Sequence, residues 1–171
     1  AKKRKAVNRM NGSQAVSQDS QQYVSFTLEK EEYGIPILHV REIIRYENLT
    51  RIPQSAQYVE GVLNLRGQVI PVADLRRRFG LAEIQHDTST RIVVVELDDR
   101  VIGMLVDSVT EVQSIEERQI EPLPPLGAKI DSQFIRGVGK LDNRLIILLD
   151  LNQAFHTSEE NFMAEQAQKE N

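Results

Sequence analysis

Residues 61–80 read Gly-Val-Leu-Asn-Leu-Arg-Gly-Gln-Val-Ile-Pro-Val-Ala-Asp-Leu-Arg-Arg-Arg-Phe-Gly, and this stretch governs how the rest of the chain is read. Val62 to Leu65 and Gln68 to Val72 are short β-type runs. Arg66-Gly67 between them has the length of a two-residue hairpin loop, with the glycine free to take positive φ. The charge of Arg66 then sits on a rigid turn. Pro71 has no N–H to give a ladder, which predicts an edge or closing strand, and Asp74 has the position and chemistry of an N-cap for a short helix ending near Gly80. Nothing in the stretch is catalytic. A guanidinium on a hairpin tip beside apolar strands is what a docking surface presents.

Around this stretch the chain nearly repeats itself. Val24-Ser-Phe-Thr-Leu28 resembles Val93-Val-Val-Glu-Leu97, Tyr33-Gly34 matches Ile102-Gly103, and Val40 to Ile43 falls where Val109 to Val112 falls. Gly61 to Leu75 then matches Gly137 to Leu151, each ending in Asp-Leu, after a register change of seven residues that places an insertion near Pro122 to Ile130. Two related units of short strands and Asp, Gly, Asn and Pro turns are implied, which points to small barrels. A barrel of about 60 residues buries only about 60% of its unfolded surface, so two of them should pack together rather than hang on a linker.

One segment departs from the β pattern. Ile37, Val40, Ile43 and Ile44 recur at three- and four-residue spacing after Pro36, which predicts a short helical turn plugging a barrel end.

Composition fits a packed, β-rich globular protein: 171 residues, 40% hydrophobic and only 5% aromatic, so Val, Ile and Leu must supply the core. The absence of cysteine excludes disulfides and thiolate metal sites. No apolar run approaches the roughly 20 residues of a membrane span. The net charge of −4 is unevenly spread. Lys2, Lys3, Arg4, Lys5 and Arg9 face Asp19 alone in the first 19 residues, whereas residues 20 to 155 carry 15 basic and 20 acidic side chains. An acidic body argues against a nucleic-acid binder. Residues 1–20 are polar without apolar periodicity and are expected to be a disordered leader, 21–156 the folded domain, and 157–171 a flexible or helical tail that Phe162 and Met163 could anchor.

Catalytic and metal chemistry finds no constellation. His39, His86 and His156 lie far apart in sequence, Gly137-Val138-Gly139 lacks the third glycine of a dinucleotide fingerprint, and Asp98-Asp99 supplies too few oxygens for calcium. Arg76-Arg77-Arg78 is the one dense basic run in the body, and its expected place is the wet side of a short helix whose apolar residues are Leu75 and Phe79.

The ordered series Asn64-Leu65-Arg66-Gly67, Pro71-Val72 and Asp74-Leu75 resembles the signature of the CheW-type chemotaxis coupling proteins. Other matching pieces are Tyr33-Gly34-Ile35 followed by Ile37, Val40, Glu42 and Ile43; Arg51-Ile52-Pro53; Gly103 with Val106-Asp107; and Gly137 with Asp150-Leu151. The match runs from about Gln22 to Phe155. The resemblance implies a mainly β fold of two packed five-stranded SH3-like barrels, with short helices and a groove between them. It implies a non-enzymatic adaptor without cofactor that couples chemoreceptors to the CheA histidine kinase in bacterial chemotaxis arrays. It would bind the cytoplasmic tip of methyl-accepting receptors and the kinase's homologous regulatory domain, from a cytoplasmic site recruited to membrane-associated arrays. Carried over position by position, the receptor groove would include Val24, Ile37, Val40, Glu42, Ile43, Arg66 and Val112. The kinase contact would lie around Glu121 and Leu126, where family members often carry a basic residue and a phenylalanine, so both are departures. The alternatives from other classes are a small-barrel nucleic-acid binder, for which interleaved aromatics and basic residues on one sheet face are missing, and a scaffold of another pathway.

Overall fold

A computed structural model of the chain describes residues 20–155 apart from 54, 84, 99 and 124–131. Residues 1–19 of the expected leader, the expected tail, His156, Asp99, Leu126 and most of the expected insertion lie outside the described residues. Ser20, assigned above to the leader, instead opens the first strand and is buried.

Eleven strands occupy the described residues: β1 (Ser20–Leu28), β2 (Glu31–Pro36), β3 (Val40–Arg45), β4 (Val59–Leu65), β5 (Gln68–Asp74), β6 (Arg91–Leu97), β7 (Arg100–Val106), β8 (Ser108–Glu116), β9 (Ile120–Glu121), β10 (Ile135–Leu141) and β11 (Arg144–Leu149). They form two sheets, one of order β8-β1-β2-β11-β10-β9 and one of order β3-β6-β7-β5-β4. The second closes on itself where Thr50, just after β3, exchanges two backbone hydrogen bonds with Val62 of β4 at 2.8 and 3.0 Å. The first closes in the same way, with the two residues of β9 paired to β10 and Glu121 opposite Val138. Two barrels result, as expected, the first with a sixth short strand. Gly61 and Gly137 make closure possible: a Cβ there would stand 2.5 Å from the Thr50 carbonyl oxygen and 2.9 Å from that of Glu121.

The repeat does not map onto the barrels. The first barrel joins β1 and β2 to β8–β11, and the second is the contiguous run β3–β7. Each barrel therefore takes its first hairpin from one copy of the repeat and its remaining strands from the other. Equivalent pairings recur: Val24 faces Val112 as Val93 faces Ile43, and Gly34 faces Leu148 as Gly103 faces Val72. The chain crosses between barrels twice, through the 3-10 turn Ile37–His39 and through Asp107, which alone separates β7 from β8.

This exchange places the main core between the barrels. Among the described residues the largest buried cluster has nineteen members from both barrels, while the interiors hold six and four, so most of the apolar burial belongs to the joint. β6 shows how: Val93, Val95 and Leu97 face the joint and Ile92 and Val94 face the barrel interior, so Ile92 to Val95 read as an unbroken apolar run. Phe26, Tyr33, Phe79 and Phe134 follow one another through the joint with centroids 6.0–6.1 Å apart. Burying an aromatic of this size contributes on the order of 1.5–3 kcal/mol, and neither barrel has that burial without the other.

The hairpin β4–β5 forms as predicted, with φ of 51° at Arg66 and 87° at Gly67, the pair of positive values that a type I′ turn requires. Asp74 caps the helix α1 (Leu75–Arg78), its Oδ1 accepting from the Arg76 N–H at 3.0 Å, and Gly80 ends the turn with φ of 73°. Burial raises the pKa of the Asp74 carboxyl above its usual value, against the lowering pull of that cap bond and of Arg77.

Three expectations need correction. β5 is an interior strand, between β7 and β4. Pro71 is tolerated because Val62, its partner in β4, spends its own N–H and C=O on Thr50, and β7 pairs only from Val72 onward. The segment after Pro36 is helical only over Ile37–His39; from Val40 it is a strand with alternating exposure, because its β-branched residues complete the barrel beside β6. The arginine run is not the wet side of a helix. Arg76 is buried and donates to both carboxylate oxygens of Asp107 at 2.7 and 2.5 Å and to the Ala82 carbonyl at 2.8 Å. Arg77 lies 2.9 Å from Glu60 and 2.9 Å from Glu83. Arg78 donates to the Ala154 carbonyl at 2.9 and 3.1 Å, with its guanidinium 4.3 Å from the Phe134 ring centroid. A helix of four residues wedged beside the joint leaves its side chains little solvent to enter.

Candidate functional site

The surface around β3 and the β4–β5 hairpin gathers most of the residues expected to bind a receptor. Val40 stands opposite Val95 and Ile43 opposite Val93, on the face of the second sheet that looks toward the first barrel. Val40 and Ile37 pack on the edge of the joint core and stay partly open, and Ile43 is 40% exposed. Arg66, on the hairpin tip, reaches back to β3 and forms an ion pair with Glu42. The tip is held rigid by the Gly67 N–H bonded to Asn64 Oδ1 at 2.9 Å. Glu42 lies opposite Val94 on the interior-facing side of β3, so the ion pair sits at the barrel rim next to the apolar residues that face the first barrel.

Val112 occupies the place on the first barrel that Ile43 occupies on the second, in β8 and 51% exposed. Its neighbour Glu111 is bonded to Arg144 of the β10–β11 hairpin at 2.9 Å, a pair like Glu42–Arg66 although the repeat makes Arg144 equivalent to Gln68. That hydrogen bond is the leading cause of the raised pKa of Arg144.

Val24 is a correction. It lies in β1 between Val112 and Ile35, is 2% exposed and belongs to the joint core, so it supports the strand that carries Val112 and has no surface of its own to offer. The period-two pattern of β1 carried no sign of this, because β1 is buried on both faces.

Exposure also brings forward residues that sequence reasoning missed. Leu38 is 88% exposed at the first crossing, between the half-buried Ile37 and His39. Val69 and Leu145, equivalent positions just past the two hairpin tips, are 66% and 59% exposed. An apolar residue in a strand pattern reads as core, and only the direction of a turn or the outer face of a hairpin reveals otherwise.

The expected kinase contact is only partly visible. Glu121 is exposed in β9, 3.4 Å from Lys140 Nζ, while Leu126 lies outside the described residues. The described residues contain no group of three His, Asp or Glu side chains placed to hold a metal ion, and no described helix is long and apolar enough to cross a membrane.

The family model described as the CheW-like domain matches residues 22–159, spanning both barrels and both crossings. The chain belongs to the CheW family. Among the similar proteins are the chemotaxis protein CheW of Klebsiella aerogenes, 37% identical over 139 residues (81% of this chain, 84% of that protein), and the CheW of Helicobacter pylori, 36% identical over 132 residues (77% and 79%). The crystal structure of the scaffolding protein TtCheW from Thermoanaerobacter tengcongensis superposes with a TM-score of 0.73 at 39% identity, covering 79% of this chain and 87% of that one. The two-barrel fold is therefore that of the CheW scaffold, and membership places this chain among chemotaxis scaffolds rather than enzymes.

Proposed function

We propose that this CheW-family chain couples chemoreceptors to the CheA histidine kinase within bacterial chemotaxis arrays, binding both without covalent chemistry or a cofactor. The observation that carries the reading is the β3 surface, where Ile37, Val40 and Ile43 stand beside the Glu42–Arg66 pair on the rim of the joint. An amphipathic receptor helix would bury its apolar face on these residues and on Val112, and polar groups at the receptor tip would meet Arg66. The kinase regulatory domain, a homologue of the same fold in this reading, would dock near Glu121 and Leu126. The chain would work in the cytoplasm, carried to the membrane by its receptors.

The test is a pair of titrations, one with a chemoreceptor cytoplasmic-tip fragment and one with the CheA regulatory domain, on the parent chain and on Ile43→Glu. A charge set into an apolar contact costs several kcal/mol, so this variant should lose the receptor fragment and keep the kinase domain. If Ile43→Glu binds the receptor fragment as the parent does, the receptor surface lies elsewhere; a parent that binds neither partner rejects the coupling function.

A further inference from the structure

The outer side of β3 carries a charge pattern that the fold itself does not use. Arg41, at the bulge of β3, and Arg45 are exposed on either side of Ile43 in the strand, and Arg51 is exposed in the segment that follows. Among the described residues the side chains of these three arginines make no ion pair and no hydrogen bond. The nearest acids do not neutralise them: Glu42 is taken by Arg66, and Glu47 forms no pair with either flanking arginine. Arg45 also stands directly opposite Arg91 of β6, whose side chain has, among the described residues, only the Thr88 and Thr90 carbonyls as partners, at 2.8 and 2.9 Å. Like charges facing each other across a ladder are destabilising, so this arrangement costs the isolated chain something.

The other barrel supplies an internal control. At the positions that the repeat makes equivalent to Arg41 and Arg45 stand Thr110 and Ser114, flanking Val112. Thr110 there bonds the hydroxyl and the carbonyl of Ser25 at 2.6 and 3.1 Å, so the same place in the barrel is satisfied without charge. The folded body is acidic in net charge, which makes an unpaired cationic strip beside exposed Leu38 and Ile43 a departure from the rest of the surface.

We infer that the β3 strip of Leu38, Arg41, Ile43 and Arg45 selects a partner helix with carboxylates flanking its apolar face. In the proposed coupling function, on which this inference rests, that helix belongs to the receptor tip. Apolar residues of the helix cover Leu38 and Ile43, and Asp or Glu residues on its flank pair with Arg41 and Arg45, one of them relieving the Arg45–Arg91 repulsion. Electrostatic complementarity of this kind raises the rate of encounter and discriminates against receptors whose tips are neutral or basic at those places. The alternating apolar residues and the acidic body disfavour an extended polyanion as the occupant.

The test compares the parent with Arg41→Gln/Arg45→Gln, using as probe a chemoreceptor cytoplasmic-tip fragment titrated at low and at physiological salt. Two exposed charge pairs set the expected loss at roughly three- to thirtyfold in affinity at low salt, with a shallower salt dependence. Arg45→Glu, which gives Arg91 an opposite charge, should melt at or above the parent temperature while binding the fragment more weakly, so loss of fold does not account for the change. Unchanged affinity and salt dependence in the double variant overturn the strip while leaving the coupling function in place. A parent that fails to bind any receptor fragment removes both. If duplex DNA or anionic vesicles displace the fragment from the parent but bind the double variant poorly, the strip reads anionic charge in general, and the inference is overturned in favour of a polyanion.

Discussion

The chain passes between its barrels twice, at places that the repeat makes equivalent, and the two crossings are built in opposite ways. At the second, Asp107 is gripped by Nε and Nη2 of the buried Arg76 guanidinium, accepts from the Glu29 N–H at 2.7 Å and gives its own N–H to the Thr27 carbonyl at 3.0 Å. At the first, the equivalent residue is Leu38, 88% exposed within the 3-10 turn. One crossing is closed by internal partners and the other is left open. The difference sets internal partners on one side of the joint and exposed apolar surface on the other.

The largest effect should come from the closed crossing. Asp107→Ala leaves the Arg76 guanidinium buried without its carboxylate, and the melt should report a loss of about 2–4 kcal/mol. A cost below about 1 kcal/mol would erase the contrast between the crossings. Both barrels should still unfold in one transition in this variant, because the main core lies between them.

Nearly as large is an alkaline effect in the same joint. Tyr33 has its pKa raised to about 12, first by burial and then by Glu31 and Glu29. The unfolded chain releases this proton near its ordinary pKa of 10 while the folded chain holds it. Its contribution is therefore intact below pH 10 and is lost as the pH rises to about 12, on the order of 2–3 kcal/mol. Tyr33→Phe should flatten that part of a stability-against-pH curve; an identical slope would show that the phenol does not titrate there.

On the open side, the effects should move from stability to binding. Arg66→Ala should change stability by under about 0.5 kcal/mol, since its pair with Glu42 is largely exposed on the arginine side. Receptor-tip affinity should fall by about 1–2 kcal/mol through lost charge-assisted hydrogen bonds. A normal melt with normal affinity would reduce Arg66 to a turn residue that closes the barrel. Smallest of all should be Leu38→Ala in the melt, within about 0.5 kcal/mol, with binding to the receptor fragment weakened all the same. If Leu38→Ala destabilises as much as Asp107→Ala, the two crossings are equivalent after all.

Much of the fold was legible in the sequence. The Arg66-Gly67 turn, the Asp74 cap, the short strands and the two related units all follow from local rules, because positive φ, a missing cap partner or a broken period is decided within a few residues. Part of the candidate site was legible for the same reason, since Arg66 owes its exposure to its turn. The failures concern residues whose neighbours are distant in sequence. The missing N–H of Pro71 suggests an edge or closing strand only while its strand partners are unknown, and the groove position that the family resemblance implies for Val24 does not show that β8 returns beside β1 and buries it. The arginine run reads as a solvated face in sequence because its partners Asp107 and Ala154 lie 31 and 76 residues away.

By itself, then, the sequence determined what each segment could become: which runs would be strands, where the turns would fall, and that two copies of one pattern would share a core too small to divide. Tertiary structure alone decided which copy's strands pair with which. A repeat records similarity between segments and carries no information about partners, so exchanging the first hairpins leaves the repeat unchanged while moving the main core into the joint. That exchange makes Asp107 a buried anchor and leaves Leu38 in solvent, because the residues that surround each crossing come from the opposite barrel and are brought there only by folding.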